Sequence, residues 1–103
     1  MIIYVDIDKT ICTLKNNEED YSKAVPIQNR IEKINTLYNE GNEIVYWTAR
    51  GTGSGIDWRA ITENQFSKWG VKYHKLYFGK PIYDLFIDDK NINSEEFFRD
   101  VDE

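Results

Sequence analysis

The chain carries one cysteine in 103 residues. A lone Cys12 excludes an internal disulfide and fits a reducing, cytoplasmic setting. No apolar run approaches the length needed to cross a bilayer, and the first residues lack the basic and apolar pattern of a secretory signal. A cytoplasmic protein with no membrane partner is therefore expected. Basic charge is also scarce: 13 Lys and Arg stand against 18 Asp and Glu, a formal net charge of -5. This balance argues against a dedicated nucleic-acid surface, so no nucleic-acid partner is expected. An acidic protein still binds an anion if a metal or a local basic group intervenes. There is no internal repeat and no low-complexity segment. The stretch Gly51-Thr52-Gly53-Ser54-Gly55 lacks the spacing of a dinucleotide or Walker fingerprint and reads as a connector.

Hydrophobic residues make up 41% of the chain and aromatics 15%, enough to fold, and the length is that of one domain. Ile2-Ile3-Tyr4-Val5-Asp6-Ile7 is a β-branched and aromatic run that predicts a strand. Residues 9–25 read as a flap or loose hairpin over its end, with a turn at Asn16-Asn17 and a solvated acidic run, Glu18-Glu19-Asp20. Pro26 suits the first turn of a helix, and Ile27, Ile31, Ile34 and Tyr38 mark one helical face that Gly41-Asn42 ends. Glu43 to Thr48 predicts a second buried strand. Strand, helix and strand in that order form a βαβ unit with parallel strands. A helix follows between Asp57 and Trp69, capped by Asp57 or by a Thr62/Gln65 capping box. Lys75 to Phe78 predicts a third strand and Tyr83 to Asp89 a fourth. Ser94, with Glu95 and Glu96, starts a last helix. The tail after Arg99 is expected to fray.

Three of these strands end in polar groups. The first presents Asp6 and Asp8, the second Thr48 and then Arg50, and the fourth Asp88 and Asp89; Lys80 stands in the turn before the fourth. In a parallel sheet such groups converge on the carboxyl edge, where ligands bind. Four carboxylates there do not all ionise without compensation. A hard divalent cation with oxygen ligands answers that need, and Mg²⁺ is the commonest choice beside phosphate. Taken singly, each group has a plainer reading. Acids after a strand form turns, a turn lysine is solvated, and Arg50 is as readily ion-paired as bound to substrate. His74, the only histidine, is not needed by the chemistry. Trp47, Trp58 and Trp69 read as core, and Cys12 as a small packing residue.

The order Asp6-Ile7-Asp8-Lys9-Thr10, then Thr48, then Lys80, then Asp88-Asp89 resembles the four motifs of the haloacid dehalogenase superfamily over nearly the whole chain. The resemblance implies a Rossmann-like three-layer α/β/α domain over residues 1–103, with a small, mainly parallel sheet and no cap domain. It implies a Mg²⁺-dependent phosphomonoester hydrolase. Asp6 would be the nucleophile that forms an aspartyl-phosphate, and Asp8 the general acid and then base. Thr48 and Lys80 would hold the phosphoryl group. Mg²⁺ would sit on the Asp6 carboxylate, the Asp8 carbonyl and Asp89, with Asp88 direct or through water. The sequence departs from the pattern at Lys9, where the family usually has glycine.

The runs Trp47-Thr48-Ala49-Arg50-Gly51, Trp69-Gly70-Val71, Tyr73-His74 and Gly79-Lys80-Pro81 also resemble small bacterial phosphatases of capsule and surface-polysaccharide synthesis. That likeness implies a small phosphorylated substrate, a sugar or related metabolite, with Arg50 as a further contact. A phosphatase acting on a nucleic-acid end or a protein is an alternative. So is a non-catalytic or receiver-like module, for which Asp57 is the one mid-chain candidate. A capless site also leaves room for a neighbouring subunit as lid, hence for a homo-oligomer.

Overall fold

A computed structural model describes residues 1–15 and 20–102. The expected turn at Asn16-Asn17 and the acids Glu18 and Glu19 lie outside the described residues. Strand β1 (Ile2–Val5) is followed by two short strands, β2 (Cys12–Thr13) and β3 (Val25–Pro26), which pair antiparallel. They are the hairpin expected in the flap. Pro26 belongs to β3, and helix α1 (Gln28–Asn39) starts just after it, behind Ile27. Strand β4 (Glu43–Trp47), helix α2 (Arg59–Trp69), strand β5 (Lys75–Tyr77) and the one-turn helix α3 (Ser94–Phe97) complete the order.

The main sheet has the order β1-β4-β5 and is parallel throughout. The expected βαβ unit is therefore present. One core joins Ile3, Val5, Ile44, Tyr46 and Leu76 of the sheet to Ile31 and Ile34 of α1, Phe66 and Trp69 of α2, and Phe97 of α3. Of the alternate strand residues, Tyr4 and Tyr77 lie outside this core and are exposed, while Val45 of the central strand is buried outside it. All three helices thus share one face of the sheet, giving two layers where three were expected. The reason is topological. Both crossovers step the same way, from β1 to β4 to β5, and right-handed crossovers that step the same way put their helices on the same face.

The expected fourth strand is the main correction. Among the described residues, Tyr83 to Asp89 pairs with no strand. Only residues 78–82 separate β5 from Tyr83, too few for a parallel crossover, which takes about a dozen. Strand propensity measures fit to a half-buried pleated surface, and the segment finds none within its own chain.

The tail is also better held than expected. Arg30 grips Asp102 through Nε (2.9 Å) and Nη2 (2.7 Å), and Lys33 reaches Asp100 at 2.8 Å. These bonds hold Asp100 and Asp102 below the usual carboxylate range.

Tyr46 carries the one buried side-chain polar atom without a hydrogen bond among the described residues, its hydroxyl. Burial pushes the phenol well above its ordinary range, because the charged form loses solvation. Its ring packs on Phe66 and Tyr73. Tyr46→Phe keeps the ring and removes the orphaned group, so we expect a gain of about 1 kcal/mol. Urea unfolding checks this; a loss of stability would mean that the hydroxyl has a partner.

Candidate functional site

Strand β1 delivers Asp6 and Asp8 to the carboxyl edge of the sheet, and the turn that follows fixes them. The amides of Thr10 and Ile11 both donate to the Ile7 carbonyl (3.1 and 2.9 Å), and the Lys9 amide to the Cys12 carbonyl (2.9 Å). This tight turn puts Lys9 at φ 63°, a left-handed conformation that disfavours a side chain. It is the position where glycine was the usual residue. Lys9→Gly is expected to stabilise the fold by about 0.5–1 kcal/mol. Chemical denaturation would read this as a higher midpoint with an unchanged slope.

The Thr10 hydroxyl donates to Asp6 Oδ2 at 3.2 Å, and Lys80 Nζ stands 3.3 Å from Asp6 Oδ1. Lys80 comes from the loop after β5, which the sheet itself anchors. The Lys80 amide donates to the Thr48 carbonyl (3.1 Å), and the Thr52 hydroxyl to the Lys80 carbonyl (2.8 Å). Thr48 is buried at the end of β4, where its hydroxyl accepts from the Arg50 amide at 3.1 Å. Asp6, Asp8, Thr48, Arg50, Lys80 and Tyr83 line one open cleft of about 250 Å³.

Arg50 takes a position that local sequence signals do not give. Its side chain is fully buried. Nε donates to both Asp8 oxygens (3.3 and 3.0 Å) and Nη2 to Asp8 Oδ1 (2.9 Å). Nη1 donates to Thr62 Oγ1 (3.0 Å) and Gln65 Oε1 (2.7 Å), and Nη2 also meets Cys12 Sγ (3.8 Å). All five guanidinium donors are engaged by the protein. In this arrangement Arg50 holds Asp8 rather than presenting a free fork to a substrate. Thr62 and Gln65 are accordingly not a capping box. They are inward-facing partners of Arg50; the N-cap of α2 is Trp58, not Asp57, and Asp57 one residue earlier accepts from the Arg59 amide through Oδ1 at 3.0 Å. That explains the irregular apolar spacing of α2: part of its buried face is polar.

Other residues singled out from the sequence play structural parts. The Cys12 thiol is pushed up to about 12, chiefly by burial and then by Asp8, so it stays protonated and unreactive near neutrality. His74 accepts from the Ile44 amide through Nδ1 (3.0 Å) and stacks on Tyr38, away from the cleft. Trp58 packs edge-on against Tyr21 of the flap. In the glycine loop, a Cβ on Gly51 would run into the Ile56 carbonyl, so this connector is tightly turned beside the cleft.

Asp88 and Asp89 do not join the group. Both are exposed and neither lines the cleft. Among the described residues, no set of three or more His, Cys, Asp or Glu side chains stands together to hold a metal ion. The residues of one chain therefore do not fit the Mg²⁺ set of Asp6, Asp8, Asp88 and Asp89. Asp6 meets Lys80, Asp8 meets Arg50, and the other two acids are elsewhere.

The fold and the cleft define a small α/β domain with paired acids and basic partners at the carboxyl edge of a parallel sheet. It is similar to the crystal structure of an MCSG target from Vibrio cholerae, with a TM-score of 0.80 and 29% sequence identity over 93% of this chain and 85% of that one. No family model matches the chain, and no curated protein does. No helix among the described residues is long and apolar enough to cross a membrane.

Proposed function

We propose that this domain is a capless phosphomonoester hydrolase of the haloacid dehalogenase type. The observation that carries the reading is the placement of Asp6. Its carboxylate lies in an open cleft, beside a lysine and next to a second acid two residues on. A carboxylate attacks a phosphate monoester only if the charge repulsion between them is offset, and Lys80 supplies a cation where both would meet.

The roles are those the resemblance implies, and the positions of Asp6, Asp8 and Lys80 support them. An Asp6 oxygen attacks phosphorus, a new P–O bond forms, and the bond to the substrate's ester oxygen breaks. Asp8, carrying a proton when substrate is bound, passes it to that departing oxygen. It then takes a proton from the water that attacks phosphorus, which releases phosphate and restores Asp6. Thr48 braces the wall through its bonds to Arg50 and Lys80. Arg50 is a positioning residue that fixes the Asp8 carboxylate from behind. The substrate class we favour is a phosphorylated sugar or related polar metabolite, on the likeness of the segments around Thr48 and Lys80 to polysaccharide-synthesis phosphatases.

The test is phosphate release from sugar phosphates, nucleotides and phosphopeptides, with and without added Mg²⁺. Release from sugar phosphates is expected. No release from any substrate would turn the reading toward a binding module.

A further inference from the structure

Among the described residues two features have no strand partner, and each fits the other. The first is the outer edge of β1. Strand β1 pairs only with β4, so among the described residues its other side offers unpaired backbone groups. Ile2 and Tyr4 beside that edge are 68% and 57% exposed. Proteins normally cover or blunt such an edge. The second feature is the segment Tyr83 to Asp89. It has the composition of a strand, pairs with no strand among the described residues, and leaves Leu85 and Ile87 at 75% and 87% exposed. Contiguous exposed apolar residues of this kind mark an interaction surface.

The segment does not reach the β1 edge of its own chain in the useful direction. Tyr83 lines the cleft at the carboxyl end of the sheet, with its ring 5.4 Å from Lys80 Nζ. A strand parallel to β1 has to begin at the opposite end. The five residues 78–82 reach at most about 17 Å. To pair parallel with β1 they would have to descend the length of the sheet as well as step sideways, which together exceed that reach. The exchanged segment needs only the sideways step, which Tyr83 at the cleft has already begun. Running down β1 antiparallel is within reach, but it carries Asp88 and Asp89 away from Asp6.

We propose that the segment Tyr83–Asp89 of each chain adds as a parallel strand to the β1 edge of a second copy, in a reciprocally exchanged dimer. A two-fold axis sets the two sheets antiparallel side by side. A segment that leaves the carboxyl end of its own sheet then runs toward the carboxyl end of its partner's. Placing Asp88 level with Asp6 sets Phe86 beside Tyr4. It also places Leu85 and Ile87 on the helix-covered side with Ile3 and Val5, so the most exposed side chains enter the partner's core. The same register brings Asp88 and Asp89 of one copy to Asp6 and Asp8 of the other. The acidic set that a hard cation requires, incomplete in one chain, is completed between two. This last point, and the choice of a parallel exchanged strand over an antiparallel one within the chain, rest on the phosphatase reading; the open β1 edge and the exposed segment do not.

Two experiments test the proposal, one of them independent of activity. The variant carrying Tyr4→Cys and Phe86→Cys should, on mild oxidation, run on a non-reducing gel at twice the chain mass; buried Cys12 stays out of reach. Unlinked chains, or a disulfide closed within one chain, overturn the exchange. In the second, Asp6→Asn and Asp89→Asn are each inactive alone and are unfolded and refolded together. Half of the dimers are then mixed, and one of their two sites has both native acids, so about a quarter of wild-type activity returns. If site and acids belong to one chain, nothing returns and the exchange fails. A cross-linked dimer whose wild type releases no phosphate keeps the exchange and removes the phosphatase. An active monomer does the reverse.

Discussion

Arg50→Met is expected to lower stability by about 3 kcal/mol, which for a domain of this size shifts the melting temperature by roughly 12–20 °C. The loss is large because the change strands several groups at once. Asp8 loses its cation, while the Thr62 hydroxyl and the Gln65 carbonyl lose their donor. Unpaired groups in a buried place cost their full desolvation. The figure stays at the lower end for a broken ion pair because 22% of the Asp8 side chain is still in water. Arg50→Lys keeps the charge but not the fork, so it recovers only part of the loss. Arg50→Met combined with Asp8→Leu should be less damaging than the sum of the two single changes, since no charge is left alone. Differential scanning calorimetry of this set decides the matter. A loss below 1 kcal/mol for Arg50→Met would show that the guanidinium does not organise the cleft.

Asp6→Asn is expected to reduce turnover by about 10,000-fold or more, with little change in stability. The amide keeps the shape of the side chain and still accepts from Thr10 through its oxygen. It does not form the acyl-phosphate. The nearest cation, Lys80, keeps 13% of its side chain exposed and also lies 5.8 Å from the Trp47 ring, so it is not stranded when Asp6 becomes neutral. Activity and melting temperature are measured on the same preparation. Turnover within tenfold of the wild type would take the nucleophile away from Asp6, whatever the substrate.

The parts of the fold legible in the sequence were those written in local periodicity. Ile27, Ile31, Ile34 and Tyr38 announce α1, and the β-branched runs on either side announce β1 and β4. The parallel pairing follows from chain connectivity alone. The convergence of Asp6, Asp8, Thr48 and Lys80 was legible for the same reason, since each stands at or just past the end of a strand. The Arg50–Asp8 pair was not, because two residues 42 apart leave no periodic trace. Thr62 and Gln65 misled because their spacing suits a helix cap as well as two donors' worth of partners for a buried arginine. The fourth strand expected from Tyr83 is absent among the described residues, although its composition suits one. Propensity speaks for a segment, and pairing depends on the length of chain that leads to it.

The clasp between α1 and the residues after α3 has a consequence for local opening. Arg30 and Asp102 are 72 residues apart, and Asn29 reaches the Val101 carbonyl at 3.2 Å across the same span. Closing so long a loop is entropically costly, while α3 itself is a single turn. Amide hydrogens at 97–102 should therefore exchange with solvent through a low-energy partial opening. Those of β4, bonded on both sides at the centre of the sheet, exchange only when the whole domain unfolds. The C-terminal clasp is a latch, and its release leaves the sheet with α1 and α2 intact.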